Sequence, residues 1–212
     1  MNFRPNTFDT TLKGMLHKLK MIEVISKNIS NVSTAAYKRQ LPEALSFSEI
    51  LNETALRDNS QGAMKKTNSI FDLAIEGNAS FLIETPNGLV ETRNGNFKLN
   101  NKGEIVTHEG DVLVILDKID KEVSLSDTND ISINQSGEIY VNGSRYGRIA
   151  LRILDNKPVR IHQGFVEGSN VDLAQEMTAL TMTFRSFEAS EKTLGMEASI
   201  DKELIEKYGT NV

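Results

Sequence analysis

From Gly164 to Tyr208 the chain contains no proline. Taken in steps of three and four, Leu173, Met177, Leu180, Phe184, Phe187, Leu194 and Ala198 fall on one face of a helix, with mostly polar residues opposite. An apolar stripe this narrow on a helix this long reads as a seam for a second helix, not as a face for a globular core. The other end of the chain carries a match, because Leu12, Met15, Leu19, Ile22 and Ile29 keep the same spacing. The two ends therefore predict a coiled coil with each other, whatever lies between.

The first helix is predicted to start at Thr7 or Asp9, where a side-chain oxygen can accept from free backbone N–H groups, and to run to about Ile29. In Asn28 to Gln40, Asn, Ser and Thr compete for backbone hydrogen bonds, which predicts a turn and then an extended segment. Leu45, Ile50 and Leu56 fit a short helix, but Pro42 and the neighbouring serines oppose it, so Leu41 to Leu56 reads as irregular. From Ile70 the period becomes two: Phe71, Leu73 and Ile75, then Phe81 and Ile83, Phe97 and Leu99, and further short runs to Ile149 and Leu154 mark strands. Between them lie Asn87-Gly88, Asn94-Gly95, Asn101-Lys102-Gly103, Ser136-Gly137 and Asn142-Gly143, residues that supply the positive φ of tight hairpins, so consecutive strands should pair antiparallel. FKLNNKGEIV and ISINQSGEIY echo each other as two similar hairpins. The predicted class is α+β: terminal helices (1–38 and 164–212) pairing as a coiled coil, an extended connection (39–69) and a central antiparallel all-β domain (70–163).

Composition narrows the chemistry. The net charge of −5 offers no basic surface for nucleic acid. The chain has no cysteine for a disulfide or thiolate site. No run reaches the roughly 18 apolar residues of a membrane span, and the first residues lack the apolar core of a signal peptide. The three histidines, His17, His108 and His162, fall in a helix, a hairpin loop and a linker with no metal-ligand spacing. No glycine-rich phosphate loop opens a helix. These readings predict no catalytic residue, no cofactor, no metal and no small-molecule substrate. Two packings then satisfy the stripes. Either both helices lie on the sheet in one domain, or they pair with each other and offer their remaining surfaces to neighbouring subunits.

Three segments resemble the flagellar basal-body rod and hook family of axial proteins. In NISNVSTAAYK, Asn28, Asn31, Thr34, Tyr37 and Lys38 match the amino-terminal signature, with Ala36 where the family usually has glycine. Asp72 to Gly110 is similar to the middle domain of the longer members through Asp72, Gly77, Phe81, Gly88, Thr92, Arg93, Gly95, Phe97, Gly103, Val106 and Gly110. Gly164, Glu167, Ser169, Asn170, Val171, Glu176, Met177, Arg185, Phe187, Glu188, Ala189 and Lys192 look like the carboxy-terminal signature, with Ser190 where asparagine is common. The resemblance implies a structural rod subunit, exported through the flagellar type III apparatus without a cleaved signal. Its partners would be copies of itself and neighbouring rod subunits in the periplasmic part of the basal body. The compact middle domain and the short stretch from Lys38 to Gln61 point to the proximal rod. The alternatives are a distal rod subunit or, outside the family, a β-rich binding module with helical arms. The expected subunit-packing residues are the two apolar rows, Leu12, Met15, Leu19, Ile22 and Ile29 with Met177, Leu180, Phe184, Phe187 and Leu194, together with Asn28, Asn31, Thr34, Tyr37, Lys38, Arg185 and Glu188.

Overall fold

In the computed structural model, residues 7–41, 56–118 and 130–208 are described. The chain divides into a helical unit, 1–32, 39–58 and 171–212, and a β unit, 33–38 and 59–170.

The helical unit is built on α1 (Thr7–Ser30) and α2 (Leu173–Tyr208). Helix α1 spans the predicted range, with Asp9 in its first turn and Lys27 in its last, each complementing the helix dipole. Asp172 caps α2: its Oδ1 accepts from the N–H groups of Ala174 at 2.9 Å and Gln175 at 3.1 Å. The helices run antiparallel, since Asn28 Nδ2 reaches Glu176 Oε2 at 3.3 Å while Lys18 Nζ reaches Ser190 Oγ at 2.5 Å. The stretch 42–55, read above as irregular, lies outside the described residues; at its edge the Leu41 N–H donates to the Leu56 carbonyl at 2.9 Å.

The covered positions of α2 are Glu176, Leu180, Thr183, Phe187, Ser190, Leu194 and Glu197, with Ala179 beside them, a strict alternation of four and three. Thr11, Gly14, Lys18, Met21, Ile25, Asn28 and Val32 repeat it on the amino-terminal side, within a broader covered face that also takes in Met15, His17, Lys20, Ile22, Val24 and Ile29. The apolar row of α2 therefore divides. Leu180, Phe187 and Leu194 lie in the covered stripe, whereas Leu173, Met177, Phe184 and Ala198 are exposed on its flank. Hydrophobicity alone merged two rows because four of the seven seam positions of α2 are polar or charged.

Among the described residues fourteen short strands form the β unit: β1 (Met64–Lys66), β2 (Leu73–Glu76), β3 (Ala79–Thr85), β4 (Gly88–Thr92), β5 (Lys98–Leu99), β6 (Ile105–Val106), β7 (Val112–Leu113), β8 (Ile115–Leu116), β9 (Ile131–Ile133), β10 (Glu138–Val141), β11 (Ser144–Ile149), β12 (Leu151–Ile153), β13 (Arg160–Gln163) and β14 (Phe165–Glu167). Every pairing is antiparallel. One sheet has the order β12-β3-β7-β6-β5 with β4 on β3, a second β8-β11-β10-β9, and two strand pairs, β1-β14 and β2-β13, complete the set. Consecutive strands pair as predicted in the β3-β4, β5-β6, β6-β7, β9-β10 and β10-β11 hairpins. His162 lies in β13 and not in a linker; its Nε2 stands 2.8 Å from Glu76 on the paired strand β2.

Side chains alternating along these strands make one core that includes Leu73, Ile75, Phe81, Phe97, Ile105, Leu113, Ile139 and Ile149. Phe81 and Phe97 meet edge to face, ring centres 5.3 Å apart. The two echoing segments fold alike. Asn100 Oδ1 accepts from the N–H groups of Lys102 and Glu104, and Asn134 Oδ1 from those of Ser136 and Glu138, all between 2.9 and 3.0 Å. Gly103 and Gly137 take the positive φ these turns need, 74° and 82°. Gly95 serves a different purpose from the one its turn motif suggests: a Cβ there would stand 1.6 Å from the Leu73 carbonyl oxygen, so the position permits a close backbone approach.

Candidate assembly surface

Of the predicted signature, Asn28 near the end of α1 and Lys38 beyond it anchor the chain. Asn28 is fully buried in the helical unit. Its side-chain amide imitates a paired strand, donating to the Gln40 carbonyl at 2.8 Å and accepting from the Gln40 N–H at 2.9 Å. The same Nδ2 turns to Glu176, a carboxylate with no exposed side-chain surface that also takes Arg39 Nε at 2.5 Å. A carboxylate so buried needs a charged and hydrogen-bonded partner, and it has both.

A second buried carboxylate organises one end of the β unit. Glu167 Oε1 accepts from Lys38 Nζ at 2.7 Å and the Gly62 N–H at 3.1 Å, and Oε2 accepts from Arg93 Nε at 3.0 Å. Lys38 also donates to the Ser60 carbonyl at 2.6 Å, and Arg93 to the carbonyls of Gly77, at 2.7 Å, and Ala79. The Glu167 carbonyl accepts from the Ala36 N–H at 2.8 Å. One residue thus ties together the segment after α1, the start of β1, the end of β4 and the end of β14. Ala36 holds φ at 55°, the left-handed conformation that glycine adopts without steric cost. The turn that the family's glycine would make is made here by alanine.

Several large apolar side chains of the helical unit are exposed. Leu12, Leu16 and Leu19 stand exposed along α1, and Leu173, Met177, Met182 and Phe184 along α2. Hydroxyls between them are satisfied within the helix: Thr178 donates to the Ala174 carbonyl and Thr181 to that of Met177, at 2.8 and 2.9 Å. Ala174, Thr178, Ala179 and Met182 line a shallow groove of about 420 Å³ on this helix. A protein that stays monomeric does not usually leave such rows uncovered.

Of the expected packing residues, Leu12, Leu19, Met177, Phe184, Thr34, Arg185 and Glu188 are exposed. Met15, Ile22, Ile29, Leu180, Phe187 and Leu194 are half-buried, as are Asn31, Tyr37 and Lys38. Sequence reading missed Leu16, Met182, Arg39 and the anchoring roles of Glu167, Glu176 and Arg93. The signal for Arg39 was its place beside Lys38, two consecutive cations next to no acid. Among the described residues no cluster of His, Asp and Glu is arranged to hold a metal ion, and no helix is long and apolar enough to cross a membrane.

Residues 74–141 match the D1 domain of the flagellar hook protein FlgE/F/G, and residues 162–206 match the carboxy-terminal region of the flagellar basal-body rod FlgEFG proteins. The chain is 29% identical to the flagellar basal-body rod protein FlgF of Mesorhizobium japonicum, over 90% of this chain and 92% of that protein. It is 28% identical to FlgF of Rhizobium meliloti, over 86% and 90% respectively. The flagellar basal-body rod protein FlgG of Bacillus subtilis is 24% identical over 92% of this chain and 96% of its own length.

Proposed function

We propose how a rod subunit works from this chain, which belongs to the flagellar basal-body rod family. It is a structural subunit of the flagellar basal body, and its work is packing. The observation that carries the reading is the pair of matched regions in family order, with relatives aligned along about nine-tenths of both chains. The exposed rows on α1 and α2 supply the means: contacts between unlike surfaces that do not close into a ring produce a helical polymer.

The three-four alternation of covered positions on both helices supports a coiled-coil pairing within the subunit. Leu12, Leu16, Leu19, Met177 and Phe184 then face copies of the chain and neighbouring rod subunits, and Arg185 and Glu188 flank that contact. The domain division that serves this role is a helical part for assembly and a β part as a spacer. We place the subunit in the proximal rod, in the periplasmic part of the basal body, because the stretch from Lys38 to Gln61 is short in sequence. The similarity to FlgG keeps the distal rod as the second reading. Passage through the flagellar type III export apparatus follows from the same membership.

Electron microscopy of basal bodies from a strain lacking this chain tests the reading. Rods that stop short of their full length support it, and a stop near the base supports the proximal position. Complete rods with normal swimming refute the subunit role.

A further inference from the structure

We propose that the β unit carries a second contact, in which the β1 edge of one copy pairs with the β4 edge of another. Exposed strand edges invite pairing, and proteins normally defend them with lysine, proline or a bulge. Among the described strands β4 pairs only with β3, and its outward positions include no such defence. Leu89 and Val90 are 66% and 45% exposed on it, with Glu91 next in the strand and Glu84 opposite Leu89 on β3. Strand β1 is the complement. It pairs only with β14, all three of its residues, Met64, Lys65 and Lys66, are exposed, and neither lysine is engaged by an ion pair among the described residues.

The lysines discourage β1 from meeting another β1, while at the β4 edge Glu91 is already paired with Arg152 of β12 at 3.1 Å and the acid left to attract them is Glu84, which no ion pair engages among the described residues. Charge therefore selects the unlike pairing, β1 to β4, over either like one. Because the two edges are different surfaces of one chain, the contact is head-to-tail and does not close on itself. Its occupant is a second copy of this chain. The proposal rests on the subunit reading only in requiring that second copy, and it concerns the β unit alone.

The chain has no cysteine, so each introduced thiol is unique. Full-length Lys66→Cys and Val90→Cys proteins are mixed at high concentration and joined with a short bis-maleimide; Lys102→Cys, in the exposed Asn100 turn, is the control. The mixture is expected to yield a covalent heterodimer several-fold above either variant alone or either mixed with the control. Adding Lys65→Glu to the first partner should reduce that yield, and adding Glu84→Lys to the second should restore it. Equal yields in all mixtures, or a strong band from Val90→Cys alone, overturn the proposal. Repeating the mixture in a Phe184→Asp background separates it from helix-driven assembly: the heterodimer should persist, and its disappearance shows that the edges do not recruit each other. Loss of the heterodimer with rod incorporation intact refutes the edge pairing and leaves the subunit role standing.

Discussion

Phe184 and Phe187 lie three residues apart on α2, yet aspartate should affect them in different ways. Phe184 is 46% exposed. With about 200 Å² for a phenylalanine side chain, on the order of 90 Å² remains open to a neighbour. At roughly 25 cal/mol per Å², covering it contributes about 2 kcal/mol per contact, close to thirtyfold in affinity. Phe184→Asp removes that contribution and adds a charge that must be desolvated in the assembly, while an exposed substitution changes monomer stability by only about 0.5 kcal/mol. Phe187 sits in the covered stripe, and Phe187→Asp should cost about 3 kcal/mol or more within the helical unit. Circular dichroism of the purified proteins should show native helix content for Phe184→Asp and reduced content for Phe187→Asp, with both absent from isolated basal bodies and both strains non-motile. Normal incorporation and swimming of Phe184→Asp would refute the argument that the exposed row makes the contact. Loss of its helix content would show that the row is internal.

Ala36→Gly relieves a left-handed alanine, and about 1–2 kcal/mol of steric cost minus roughly 0.4–1 kcal/mol of added unfolded-chain entropy leaves a stabilisation of about 0.5–1 kcal/mol; urea denaturation measures it, and a destabilised variant refutes the reading. Glu167→Ala strands Lys38 and Arg93 in a half-buried site and should destabilise the β unit by about 3–5 kcal/mol, seen as a lower denaturation midpoint. The Glu138 carboxyl is held below its ordinary value of 4.5, first by the Asn134 side-chain hydrogen bond and then by the Tyr140 hydroxyl. Its ionised form thus favours the folded hairpin at neutral pH, and that contribution fades as pH falls below about 4.5. Carbon NMR titration should place its midpoint below 4.5, and Asn134→Ala should move it back up.

The extent of α1, the existence of a long α2, the antiparallel β hairpins and the twin Asn turns were legible because each follows from local signals: caps, a period of two, and glycines at positive φ. Three things were not. The division of the α2 row escaped because periodicity reports where apolar residues fall, and this seam is half made of Glu176, Thr183, Ser190 and Glu197. The purpose of Gly95 escaped because its closest neighbour, Leu73, is set by tertiary packing and not by the adjacent chain. The strand at His162 escaped because its partner, β2, lies far back in the sequence. Glu167 and Glu176 matched the family pattern without revealing that each would be buried against a cation. Their partners, Lys38 and Arg39, are neighbours in the chain, but Lys38 belongs to the β unit and Arg39 to the helical one.

The strand order also bears on timing. Strands β1, β2 and β3 pair with β14, β13 and β12, so the earliest and latest parts of the β unit close on one another like nested brackets. A polypeptide emerging amino end first can pair β3 with β4 and β7 early, but it holds β1 and β2 unmatched until residues past 160 arrive, and the outermost bracket shuts only when Glu167 appears. Glu167 brings the carboxylate that receives Lys38 and Arg93, and the α2 residues follow immediately behind. Late completion is therefore built into the strand order: the outer pairings of the β unit close only once its last strands are available.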